Sequence, residues 1–267
     1  MSQSVVTYEV EGAVALIGLN RPDKRNAIND AVVSQLSEAI VRAGDEADTA
    51  VLFGHGQNFS AGLDLAEMLG KMQSGALAPR KPKRHNWHEV FDLIARGPIP
   101  FIAALHGPVV GGGLELACAA HIRVADATAF FGLPESQRGI FVGGGGTVRV
   151  QRVTGYAVMA DMMLTGRLLT AEEGERIGLC RYLTPAGGAL AKAKEIAARV
   201  AQNTPSTNWK ITNVLPRVND LSHDDGLFME YLASRMASSS DGGEDRLKEF
   251  VAGRAKPLVA PDKTSSK

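Results

Sequence analysis

Gly111-Gly112-Gly113 runs directly into Leu114-Glu115, and no other stretch of the chain concentrates as much potential chemistry. An apolar run, Phe101-Ile102-Ala103-Ala104-Leu105, precedes it, and an apolar helix candidate, Leu114 to Ala120, follows. A strand is therefore expected to feed a glycine turn that opens a helix. Three glycines bare the backbone, so a ligand can approach the amide N–H groups closely. The first N–H groups of a helix lack intrahelical partners and carry the positive end of the dipole. Such a place holds a phosphate, a carboxylate or a developing oxyanion. Glu115 adds a carboxylate within one turn. A site that only bound anions would not place one there, so the combination points to acid–base chemistry beside a stabilised oxyanion.

Three other segments share that character: Leu19 to Ala27 with Lys24 and Arg25; Phe59-Ser60-Ala61-Gly62-Leu63-Asp64-Leu65; and Phe131-Gly132-Leu133-Pro134-Glu135, followed by Gly143 to Gly146. The histidines are scattered without metal-ligand spacing. His106 reads as a structural hydrogen-bonding residue and His121 as core. No nucleophile elbow or P-loop occurs. Trp87 and Phe91, at helical spacing, read as packing.

The elements that must position these residues follow from periodicity. Val5 to Val10 and Ala13 to Leu19 flank Glu11-Gly12 as a hairpin. Asp30 to Ala43 is an amphipathic helix with Val32, Val33, Leu36 and Ile40 on one face. Ala50 to Phe53 is a buried strand. Asp64 followed by Glu67 caps a helix start. Gly70 to His85 reads as a basic loop, and Trp87 to Ala95 as a helix. Strands are expected at His121 to Ala125 and Thr128 to Phe131. This alternation of strand and helix favours an α/β layered core. Beyond Gly146 the pattern is mostly helical. Residues 1–200 are expected to form the core, 201–256 a helical C-terminal region and 257–267 a disordered tail.

Bulk properties exclude several classes. Lys+Arg and Asp+Glu both number 29, so no net charge drives binding to nucleic acid or an anionic membrane. No apolar run approaches the roughly 18 residues of a membrane span. Two cysteines without a CxxC motif suit a reducing, cytoplasmic compartment. The N-terminus carries no secretory pattern.

In order and spacing, the four segments resemble the enoyl-CoA hydratase/isomerase family, the crotonase family. Phe59 to Leu65 is similar to its F-x-A-G-x-D stretch, and Gly111 to Leu116 to its G-G-G-x-E-L stretch. The resemblance implies a crotonase-like α/β fold of stacked ββα units with a helical C-terminal region that mediates trimers or hexamers. It implies an acyl-CoA thioester substrate, no metal and no separate cofactor. The N–H groups of Leu63 and Gly112 would form the oxyanion hole. Glu115 and Glu135 would be the acid–base pair of a hydratase, with Glu135 at the α-carbon and Glu115 at the water. Ala61, Gly62, Leu63, Asp64 and Leu65 would line the CoA path, with Lys24 and Arg25 beside its phosphates. Gly143 would offer an amide near the water, although Val142 stands where relatives usually carry proline. The expected function is hydration of 2-enoyl-CoA in fatty acid metabolism. The alternatives are an isomerase or carbon–carbon lyase of the same fold, or a non-catalytic acyl-CoA-binding protein.

Overall fold

The computed structural model describes residues 4–75, 87–238 and 243–254. The chain divides into two compact units between Asn213 and Val214. The division falls beyond the expected boundary at 200/201. The helix Pro205–Val218 begins tied to the first unit: Asn208 Nδ2 donates to the Val200 carbonyl at 3.0 Å, and Asn213 Nδ2 to that of Gly97 at 3.3 Å.

The first unit is built on a six-stranded sheet. Strands β1 (Val6–Glu11) and β2 (Val14–Leu19) form the expected antiparallel hairpin. Next in spatial order come β3 (Thr49–Gly54), β4 (Phe101–Leu105), β6 (Ile122–Asp126) and β9 (Tyr182–Thr184), all parallel. A second sheet pairs β5 (Pro108–Val110) with β7 (Phe130–Gly132) and β8 (Leu169–Thr170). This is a mixed α/β layered architecture.

The main sheet is buried on both faces, which is why its strands read as continuous apolar runs rather than alternating ones. Ala15, Ile17 and Leu19 share one core with Val32, Val33, Leu36 and Ile40 of α1 (Asp30–Glu46) and with Val90, Phe91 and Ile94 of α3 (Trp87–Arg96). Val14, Leu16, Val51 and Ile102 pack against Ala189, Ala193 and Ile196 of α8 (Ala189–Val200). The period of two along β2 sorts its side chains between these layers.

Two local expectations change. Gly70 lies inside α2 (Leu65–Gln73), so the basic segment begins as helix; residues 76–85 of it fall outside the described residues. The helix expected over Leu114 to Ala120 begins inside the triplet and ends sooner, α4 (Gly112–Ala117), and β5 intervenes between β4 and the glycines. Three residues opened by a proline give too little period to read as a strand. The second unit includes α10 (His223–Ser238) and α11 (Gly243–Val251). The tail 257–267 lies outside the described residues.

Candidate active site

The site begins where the loop at Ser60 is stitched to β5. Ser60 N–H donates to the Pro108 carbonyl at 3.0 Å, and Val110 N–H returns to Ser60 O at 3.1 Å. This carries Gly62 against Gly112. A Cβ on Gly62 would stand 2.6 Å from Val110 O and 2.9 Å from Gly112 N, so only glycine permits the approach. Among the described residues, the N–H groups of Leu63 and Gly112 donate to no protein acceptor. Both residues line one cavity of about 580 Å³. Two unpaired amide donors on residues that line one cavity can hold an oxygen that gains negative charge there.

Each glycine of the triplet yields space to a different neighbour. Gly111 has φ +56°, and a Cβ there would also meet Glu135 Oε1 at 2.9 Å. At Gly112 a Cβ would meet Cη2 of Trp87 at 2.8 Å and Cζ3 more closely still. At Gly113 it would meet Ser60 O at 2.5 Å. The triplet is thus the crossing point of three elements, and its lack of side chains is a packing requirement as well as a means of exposing amides.

Lys24, Arg25, Ala61, Leu63, Asp64, Leu65, Gly112 and Glu135 all line the cavity. Asp64 is the cap of α2, accepting from Glu67 N–H at 3.2 Å, and it pairs with Arg21 Nη2 at 3.0 Å. Gly62, Glu115 and Gly143 do not line the cavity. Gly62 lies behind the wall it makes possible.

Glu135 opens a short 3-10 turn, Glu135–Arg138, just after β7. It is 7% exposed, and its Oε2 is buried without a hydrogen-bond partner. Burial pushes its carboxyl above the usual range, and the charge of Glu115 adds to the shift. A buried, protonation-prone carboxyl on a cavity wall is poised to deliver or accept a proton.

Glu115 differs. It is 3% exposed, and its Oε1 accepts the N–H groups of Gly144 and Gly146, each at 2.8 Å. Glu135 lines the cavity and Glu115 does not, although the charge of Glu115 reaches Glu135; Glu115 is held by the glycine loop. The amides near Glu115 are those of Gly144 and Gly146; Gly143 is exposed.

Sequence reasoning missed the residues that brace the site. Asn26 Nδ2 donates to the carbonyls of His55 at 2.9 Å and Asn58 at 2.6 Å. Ser60 Oγ donates to Asn26 O at 2.8 Å and accepts from Gly62 N–H at 3.1 Å. Arg25 and Asn26 have φ of +51° and +52°, a conformation that asparagine tolerates better than most residues, and Asn26 was the available signal. His106 bonds Gly56 O at 3.1 Å, and the half-buried His121 accepts from Phe101 N–H at 2.9 Å; both are structural, as their surroundings in the sequence suggest.

Two stacked sheets that converge paired amide donors and a buried carboxyl on one cavity define a crotonase-fold protein. The chain belongs to the enoyl-CoA hydratase/isomerase family, whose model matches residues 9–231. It is 30% identical to the 2,3-dehydroadipyl-CoA hydratase of Escherichia coli, over 95% of this chain and 97% of that protein. A crystal structure from Rhodopseudomonas palustris, provisionally named an enoyl-CoA hydratase, superposes with TM-score 0.84 at 45% identity and covers 94% of this chain and 96% of its own. The enoyl-CoA hydratase of Thermoplasma volcanium also superposes with TM-score 0.84, at 29% identity, over 93% of this chain and 98% of that one.

Proposed function

We propose that this protein hydrates a 2-enoyl-CoA thioester. The observation that carries the reading is Glu135: a buried carboxyl with an unpartnered Oε2, on the cavity that Leu63 and Gly112 also line. The thioester oxygen sits between those two donors, which stabilise the enolate formed when the β-carbon is attacked. Removing one such donor costs roughly 2.7–4 kcal/mol of barrier. Water adds its hydroxyl to the β-carbon and yields its proton to Glu115, whose orientation the Gly144 and Gly146 amides fix. Glu135 delivers a proton to the α-carbon, so the net addition is one water. Lys24 and Arg25 supply cations for the phosphates of CoA. Names of relatives such as the Escherichia coli hydratase support this reaction.

Loss of the conjugated thioester absorbance of crotonyl-CoA tests it. Glu135→Gln and Glu115→Gln should each reduce kcat by about 10²- to 10⁴-fold. A wild type with no turnover across enoyl-CoAs rejects the reading.

One observation favours a second reading. Only Glu135 of the two carboxylates lines the cavity, and an isomerase needs a single proton shuttle rather than a water. Incorporation of oxygen-18 from solvent separates the two. Self-association completes the proposal: Leu227, Phe228, Tyr231 and Leu232 of α10 are exposed apolar residues that a second copy would cover. Light scattering reads the assembly directly.

A further inference from the structure

The volume beside Gly112 is occupied by Trp87, the first residue of α3, through the six-membered ring of its indole. Cη2 lies 2.8 Å from where a Cβ on Gly112 would stand, and Cε3 lies 3.2 Å from the matching point on Gly144. One aromatic ring thus touches both the glycine that carries a proposed oxyanion donor and the glycine whose N–H holds Glu115. Phe91, one turn along α3 and fully buried, braces it. The two ring centroids are 5.5 Å apart with the planes tilted by 55°. Phe91 Cε2 itself lies 2.8 Å from the Cβ point of Gly144. The ring therefore has a filled core behind it and two bare glycines in front.

We propose that Trp87 sets the acyl size of the substrate, admitting short enoyl groups such as crotonyl and excluding long straight chains. This rests on the enoyl-CoA reading. An acyl group whose carbonyl oxygen lies between the Leu63 and Gly112 N–H groups carries its β-carbon past Gly112 toward Glu115. The indole fills the space beside that path, between Gly112 and Gly144; of the two glycines, Gly112 lines the cavity. A short, planar enoyl group lies against the flat ring. A longer chain must push the ring into Phe91, and close-packed interiors resist such displacement. Glycine at both 112 and 144 is what lets so large a side chain enter the gap.

The test needs no turnover. Calorimetry measures the affinities of free CoA, butanoyl-CoA and octanoyl-CoA for the wild type, Trp87→Ala and Trp87→Phe. The wild type should prefer butanoyl-CoA. In Trp87→Ala the ratio of octanoyl to butanoyl affinity should rise by at least about tenfold with CoA affinity unchanged, and Trp87→Phe should fall between. An unchanged ratio in Trp87→Ala overturns the inference. If that variant no longer binds CoA, an unchanged ratio in Trp87→Phe overturns it equally. A wild type that binds none of the three ligands rejects the enoyl-CoA reading instead.

Discussion

Arg149 Nη1 donates to the Gly144 carbonyl at 2.9 Å, and the N–H of that same glycine donates to Glu115. Arg149, on α5 (Gly146–Thr154), also pairs through Nη2 with Asp92 of α3. The guanidinium thus ties the glycine loop to the helix that carries Trp87, and it fixes the direction in which Gly144 presents its amide. Arg149→Met should let the loop drift. A displacement of about 1 Å at a reacting group can cost on the order of 10²-fold in rate. Steady-state kinetics should show kcat falling by that order while KM moves little, because Lys24 and Arg25, proposed to hold the CoA phosphates, are untouched. A change confined to KM contradicts the assignment.

Glu135 should leave a signature in stability. Its carboxyl is raised in the fold, first by burial and then by the charge of Glu115. A raised acid favours the protonated form when folded. That contribution is fully present below the unfolded value of about 4.3 and is lost as pH rises through the folded one. Glu135→Gln stays neutral and escapes the loss. Its thermal midpoint should match the wild type near the unfolded value and exceed it at neutral pH. A constant difference across that range rejects the burial account.

His121 predicts the opposite limb. Burial pushes its imidazole down to about 4, so the fold favours the neutral ring. The stability this represents is complete above the unfolded value of about 6.5 and is lost as pH falls from there toward the folded value. His121→Asn keeps an acceptor for Phe101 N–H and removes the titration. Urea unfolding should show the wild type weakening over that window and the variant weakening less.

The Gly112–Trp87 contact can be isolated by a double-mutant cycle. Gly112→Ala forces a methyl into the indole and should cost about 1–3 kcal/mol, as overpacking does. In a Trp87→Ala background the same change should be nearly neutral, because the ring is gone. Denaturant unfolding of the four proteins gives the coupling, and additive costs would show that the indole is not the obstacle.

The residue pattern by itself determined much of this protein. The hairpin about Glu11-Gly12, the amphipathic helix from Asp30, the Asp64 cap and the buried strands were legible because period and capping are local properties of the chain. So was the chemistry of Gly111 to Glu115, since bare amides beside a carboxylate need only adjacent residues. Tertiary structure alone decided which groups share a space. It set Glu135 on the cavity wall and tied Glu115 to the glycine loop, whose Gly144 and Gly146 amides come from 29 and 31 residues away. It also placed Trp87, which reads as packing along its own helix, between two glycines from other segments. Helical spacing shows which face a side chain takes, whereas the bare surface that receives it is assembled only when distant segments fold together.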